Sequence, residues 1–328
     1  MNRATLMKRA LTAGIGGLLS LSAASVLAVT DFPTRPISIV VPFPPGSISD
    51  ISSRVIADRM GELLDQTVVV ENKAGAGGIV GAQYVAKAKP DGYTLLLGTN
   101  STNAINPSMY NTLPYNPATD FQPVSMTGVI PALIVARKDF PASDTKGVIE
   151  YAKQHPGEVR IAVGSTTSRV ASEVFQIEAG IKAITVPYRG EPPGLTDLMG
   201  GQVDLMSLNL PTALPQLESG KIKPIGLIGA TRIDLVPDIP RVGETLKSYT
   251  IPTGWNALFV PADTPNAIVQ KLNHAVTKAL KDPTVKEKLE ATGGYVVTPT
   301  STDELKEWVQ RDAATWKDLI ERSGVPKL

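Results

Sequence analysis

The chain contains no cysteine. Disulfides, thiolate nucleophiles and thiolate metal ligands are therefore excluded, and an exported chain of this kind must rely on its apolar core. Histidine is nearly as scarce, with two in the chain. His155 stands at the end of a predicted helix beside Pro156, and His274 lies within a predicted helix over 267–280, away from the polar loops. No His-x-x-x-His or Glu-x-x-His spacing offers a metal site. A Ser–His–Asp triad would need one of these histidines beside a serine elbow, and Gly-x-Ser-x-Gly does not occur; neither does a P-loop. Aromatic residues make up 5% of the chain, too few for a base-stacking or glycan platform. A net charge of +1 argues against nucleic acid or an anionic membrane as partner. These absences favour binding over catalysis. Paired carboxylates stay open as a catalytic arrangement, although no acidic cluster falls in the polar loops, and an exported α/β hydrolase is the enzyme alternative.

The first 28 residues read as a cleavable secretory signal. Arg3, Lys8 and Arg9 form a basic start, Ala10 to Leu21 is apolar but too short to span a bilayer, and Val26-Leu27-Ala28 supplies the small residues before a cut. Lys8-Arg9 is not a twin-arginine pair, and no cysteine follows for lipidation. The expected location is the periplasm. No later segment approaches eighteen consecutive apolar residues, which predicts a chain that is soluble after export. Residues 29–328 suffice for two α/β lobes.

The most informative stretch is Ile37 to Leu64. Ile37, Ile39, Val40 and Val41 form a β-branched run suited to a parallel sheet. Pro42, Pro44, Pro45 and Gly46 end it. Ser47, Ser49 and Asp50 supply oxygens for a helix start, and Ile51, Val55, Met60, Leu63 and Leu64 follow at helical spacing. A helix N-terminus beyond the carboxyl end of a strand is an anion site in waiting; the plainer reading is an ordinary βα turn. Thr67 to Glu71 and Tyr93 to Leu97 are further strands, the latter ending in the polar loop Gly98 to Asn103. Gly75-x-Gly77 resembles a dinucleotide fingerprint, but Val80 stands where the third glycine is needed. The pattern then repeats: strand Val159 to Val163, polar loop Gly164 to Ser168, helix from Arg169. A strand and turn follow over Thr185 to Gly190, a short helix over Leu195 to Met199, and a strand over Leu205 to Leu208. The expected fold is a two-lobed α/β clamshell, each lobe a sheet flanked by helices, with two crossover strands as hinge. The expected division is 29–125 for the first part of lobe I, 126–224 for lobe II and 225–328 for the return to lobe I.

Several motifs occur together and in order. They are Pro33-Thr34-Arg35-Pro36-Ile37, Pro42-Phe43-Pro44-Pro45-Gly46 with Asp50 and Arg54, Glu71 to Gly78, Pro90-Asp91-Gly92-Tyr93, Val186-Pro187-Tyr188-Arg189-Gly190, and Gly200-Gly201-Gln202-Val203-Asp204. The set resembles the substrate-binding proteins of tripartite tricarboxylate transporters, the Bug family, over essentially the whole exported chain. The resemblance implies a monomeric periplasmic receptor, not an enzyme, with no cofactor, that captures a small carboxylate and delivers it to membrane permease subunits. A sensor that docks on a membrane kinase would share the same clamshell. The resemblance places one carboxylate between the turn Phe43, Pro45, Gly46, Ser47, Ile48, Ser49, Asp50 and the turn Ser165, Thr166, Thr167, Ser168, Arg169. Asn100, Tyr188, Asp204 and Leu208 complete the expected site. Ser47 stands where the family usually has a second glycine, and Arg169 where it often has histidine. Arg169 is expected to grip a second carboxylate bidentately. Phe43, Pro44, Pro45, Ile48 and Leu208 are expected to form a flat apolar wall. The expected ligand is a dicarboxylate, extending to an aromatic one such as terephthalate.

Overall fold

A computed structural model describes residues 31–328; the expected signal segment lies outside them. The first sheet is built from β1 (Ile37–Val41), β2 (Val68–Asn72), β3 (Thr94–Thr99), β4 (Phe121–Ile130), β10 (Gly254–Pro261) and β11 (Val296–Val297), in the order β11-β4-β10-β3-β1-β2. The second holds β5 (Ala132–Arg137), β6 (Arg160–Val163), β7 (Ile184–Pro187), β8 (Leu205–Asn209) and β9 (Ile222–Ile228), in the order β7-β6-β8-β5-β9. In each sheet a parallel trio carries the βα units: β2-β1-β3 in one and β7-β6-β8 in the other. Antiparallel strands are added beside it, β10 against β3 and β4, and β5 against β8 and β9.

Helices fill the faces. In the first lobe these include α1 (Ile48–Leu64), α2 (Ile79–Ala86), α3 (Asn106–Met109) and, after the chain returns, α9 (Asn266–Lys281), α10 (Pro283–Glu290) and α11 (Thr302–Ser323). The second lobe carries α4 (Thr145–Gln154), α5 (Thr166–Ala179), α6 (Glu191–Met199), α7 (Leu210–Glu218) and α8 (Val242–Thr245). The alternation of strand and helix, with β-branched strands buried on both faces, yields these layers directly. Ile37, Ile39, Val40 and Val41 are buried, as are Leu95, Leu96 and Leu97 of β3. The architecture is the two-lobed α/β arrangement expected of a periplasmic binding protein.

Strand pairing moves both lobe boundaries. Met126–Ile130 belongs to β4 and pairs with β10 in the first sheet, so the chain leaves lobe I at Pro131 and not after 125. Ile225–Ile228 belongs to β9, which pairs with β5 from Ala132↔Ile228 to Arg137↔Ile222. The return to lobe I therefore lies in 229–253 and not at 225. A buried strand carries no mark of which sheet it will join. Proline, which has no N–H to continue a ladder, does mark the break. Several helix starts also differ from expectation. α5 begins at Thr166 and not at Arg169, because Ser165 caps it. α6 begins at Glu191 and not near Leu195, because Pro192 and Pro193 occupy its first turn, where a missing N–H costs nothing. α7, with Pro211 in its first turn, was not expected at all.

Leu96 sits at the centre of the first sheet, opposite Val40 on one side and Phe259 on the other, and is fully buried. Leu96→Ala is expected to lower unfolding free energy by about 2–5 kcal/mol through lost burial and a residual cavity, read from the urea midpoint at unchanged slope.

Candidate ligand-binding cleft

Four parallel strands, β1, β3, β6 and β8, deliver their carboxyl ends to one place, and each runs into a helical start. A cavity of about 70 Å³ lies between these ends and is lined from both lobes. This is where an open α/β sheet binds ligands, since helix N-termini present unpaired N–H groups and a positive dipole end.

The turn after β1 is fixed by Asp50, which accepts from Gly46 N at 3.0 Å and from Asn72 Nδ2 at 3.0 Å, and pairs with Arg54 at 2.8 Å. Burial alone would raise its pKa; the Arg54 guanidinium and these donors outweigh it and hold the carboxyl below the usual range. Ser47 caps α1 by accepting from Asp50 N at 3.3 Å, and its carbonyl accepts from Ile51 N at 3.0 Å. The amides of Ile48 and Ser49 at the helix start find no acceptor among the described residues. They are the free donors that the N-terminal end of a helix leaves over.

The opposing turn is different. Ser165 and Ser168 form a reciprocal capping box at the start of α5, with Ser168 N donating to Ser165 Oγ at 3.1 Å. Ser168 Oγ accepts from the amides of Gly164 (3.0 Å) and Ser165 (2.9 Å). Thr167 N donates across the cleft to Ser101 Oγ at 3.1 Å, and the two hydroxyls share a hydrogen bond at 2.7 Å. Lobe I thus presents bare amides, whereas in lobe II both the amides and the hydroxyls of Ser165, Thr167 and Ser168 are already engaged, Ser165 Oγ donating to Ser168 Oγ and Ser168 Oγ to the Ser165 carbonyl. In the turn after β3, Asn100 is 4% exposed, lines the cavity and has no hydrogen-bond partner for its Nδ2.

Glu191 closes the site on the lobe II side. It is 8% exposed and lines the cavity. Its Oε1 accepts from Asn209 N and its Oε2 from the Thr212 hydroxyl, each at 3.0 Å. Burial is the dominant influence and pushes its pKa up to about 7, with the Asn209 and Thr212 donors pulling the other way. It reaches this position because Gly164 has no side chain. A Cβ there would stand 2.6 Å from the carbonyl carbon of Gly190 and 2.7 Å from Glu191 N. Among the described residues Glu191 is the one ionisable side chain lining the cavity; no Lys, Arg or His does.

Phe43, Ser47, Ile48, Ser49, Asn100, Ser165, Thr167, Ser168 and Leu208 are brought together at the cavity. Pro45, Gly46, Asp50, Thr166, Arg169, Tyr188 and Asp204 are not. Asp50 and Gly46 support the first turn from behind. Thr167, Ser168 and Ala171 face the cavity from α5, and the helical period turns Thr166 and Arg169 to the other side. Arg169 lies in a separate depression with Tyr110 and Tyr188, 3.9 Å from Glu173. The expected bidentate grip by Arg169 has no geometry to act in this cavity. Tyr188 donates its hydroxyl to Asp197 at 2.6 Å. Asp204 precedes β8 at the opposite end of the strands, where it accepts from Arg160 N at 2.8 Å and from Arg137 Nε at 3.0 Å. Among the lining residues that sequence reasoning missed, the polar and aromatic ones include Thr99, Ser101, Glu191, Ser207, Asn209, Thr253, Trp255 and Asn256. A helix start at Pro192-Pro193 would have revealed Glu191. Trp255 and Asn256 open an antiparallel strand from the far end of the chain and carry no local signal.

Two lobes around a polar cavity at strand ends form the kind of cleft in which a solute-binding receptor holds its ligand. Residues 52–325 match the family described as tripartite tricarboxylate transporter family receptor. Protein BugT of Bordetella pertussis (strain Tohama I) is 33% identical over 304 residues, 92% of this chain and 93% of that protein. Among solved structures, the periplasmic binding protein BugD superposes with a TM-score of 0.85 at 34% identity, over 90% of this chain and 100% of that one. An R. palustris protein solved with adipate gives 0.86 at 34%, over 91% and 100%. MatC from Rhodopseudomonas palustris, with bound malate, gives 0.84 at 33%, over 88% and 100%. The chain belongs to the tripartite tricarboxylate transporter receptor family.

Glu191 yields a prediction with a defined sign. Its folded-state pKa near 7 lies above the ordinary 4.5, so the folded protein holds the proton more tightly than the unfolded chain. Its contribution to stability falls as pH rises from about 4.5 to about 7, by on the order of 3 kcal/mol. Glu191→Gln removes this. In ligand-free thermal melts the midpoint of the variant is expected to gain on the wild type between pH 5 and pH 8.

Proposed function

We propose that this chain is a periplasmic receptor that captures a small carboxylate in the closed cleft and presents it to the membrane subunits of a tripartite tricarboxylate transporter. The observation that carries the reading is the convergence of unspent donors on one enclosed cavity. These are the Ile48 and Ser49 amides and the Asn100 amide nitrogen, all from lobe I; the Ser49, Ser165 and Ser168 hydroxyls already donate within the protein, and Ser101 and Thr167 share one hydrogen bond across the cleft. Such a set binds an anion by oriented dipoles, without a fixed cation. The relatives solved with adipate and malate support a carboxylate as the ligand class. Family membership and the BugD resemblance support the periplasmic role. The ligand-binding residues in this reading are Phe43, Ser47, Ile48, Ser49, Asn100, Ser101, Ser165, Thr167, Ser168 and Leu208.

Volume narrows the class. A cavity of about 70 Å³ holds roughly five water-sized positions, whereas a benzene ring alone occupies an apolar cavity of about 150 Å³. The cavity must therefore widen for any of these acids, and a flexible aliphatic chain asks less of it than the rigid ring of terephthalate, which ranks compact aliphatic carboxylates first. Apolar burial at Phe43 and Leu208 then packs the short carbon chain.

Thermal melts of residues 29–328 against mono-, di- and tricarboxylates, aliphatic and aromatic, test the reading. A ligand at 100 times its dissociation constant adds about 2.7 kcal/mol, a shift of several degrees. Compact aliphatic acids are expected to give that shift and terephthalate a smaller one. Asn100→Ala is expected to weaken binding at least tenfold, and Arg169→Ala to leave it within twofold. A panel in which no carboxylate shifts the midpoint refutes the receptor reading. Loss of binding in Arg169→Ala refutes the placement of the site.

A further inference from the structure

The cavity contains a group that a carboxylate receptor has no need of. Glu191 is an acid, nine-tenths buried, on the wall of a site built from donors. Its carboxylate accepts from Asn209 N, from the Thr212 hydroxyl and from the Asn209 side chain, which leaves part of its acceptor capacity open. No Lys, Arg or His among the described residues comes within ion-pair distance of it. Nearby charges are already committed or turned away: Arg169 neighbours Glu173, Asp197 accepts from Tyr188, and Arg189 is exposed. A buried carboxylate without a counter-charge either keeps its proton or gains a partner when a ligand supplies one.

The same cavity holds the complementary orphan. Asn100 Nδ2 is a buried donor with no acceptor. An unpaired donor set on the lobe I side and an unpaired acid on the lobe II side make a site of two polarities. A simple mono- or dicarboxylate would satisfy the first and meet the second without repulsion only while Glu191 holds its proton. A zwitterion would satisfy both.

On the reading that this cleft binds a carboxylate, we infer that Glu191 is its specificity-determining residue and selects ligands that carry a protonated amine beside the carboxylate. The carboxylate then rests on the Ile48 and Ser49 amides and Asn100. The ammonium rests on Glu191, held in place by Asn209 and Thr212. Because the pair forms only when both lobes are in place around the ligand, the amine contributes to closure as well as to selection.

The test compares ligands that differ in one substituent on the same skeleton. Propionate, lactate and alanine form one set, succinate, malate and aspartate a second, and glutarate, 2-hydroxyglutarate and glutamate a third. Each is titrated calorimetrically into wild type and Glu191→Gln at pH 8. In at least one set the amino member is expected to bind the wild type at least tenfold more tightly than the unsubstituted member. Glu191→Gln, which keeps the shape and an acceptor but removes the charge, is expected to erase most of that ratio while retaining the unsubstituted acid. The inference is overturned if the unsubstituted or hydroxy acids bind as tightly as the amino acids in every set, or if the ratio survives in the variant. The wild-type comparison decides the matter even if the variant does not fold. Carboxylates that bind with no preference for the amine sink this inference alone; a panel with no binding at all sinks the carboxylate reading with it.

Discussion

Everything at the cleft depends on how closely two backbones can approach across it. Gly190 of lobe II lies against Pro44 of lobe I, so closely that a Cβ on Gly190 would overlap the proline ring. Gly164 admits the start of α6 within lobe II. Ser101 and Thr167 then join the lobes by two hydrogen bonds. Side-chain-free backbone at these points lets helix N-termini from separate sheets share one small cavity. With bulkier residues the same helices would point into solvent, and their free amides would be spent on water.

The two lobes divide the work unequally. In lobe I the turn after β1 is braced from behind by Asp50, Arg54 and Asn72, so its amides are left bare and fixed in direction. In lobe II the serines of the capping box consume their own amides, and their hydroxyls are fixed as well: Ser168 Oγ accepts from Gly164 N and Ser165 N and donates to the Ser165 carbonyl, and Ser165 Oγ donates to Ser168 Oγ. The open donors therefore lie mainly on the lobe I side, and lobe II supplies a preset wall against which they act.

Much of this was legible in the sequence, and the parts that were not fail for definable reasons. The βα units from Ile37 and from Val159 announce themselves by apolar runs, turn residues and helical spacing, and they place Ser47 to Ser49 and Ser165 to Ser168 correctly at strand ends. Arg169 was misplaced because charge was weighed without the helical period, which turns it away from Thr167 and Ala171. Asp204 was misplaced because it stands at the wrong end of its strand. Glu191 was hidden by a proline pair that looks like a turn but opens a helix. Trp255 and Asn256 reach the site only through the pairing of β10 with β3, a contact between distant segments that no local pattern encodes. The lobe boundaries erred for the same reason at β9.

No lysine, arginine or histidine among the described residues lines the cavity. Recognition in such a site rests on where backbone and amide donors point, and not on a point charge that would attract any anion equally. The same backbone contacts that bring the lobes together, Gly190 on Pro44 and Ser101 on Thr167, therefore also aim the donors: closure and selectivity have one structural origin.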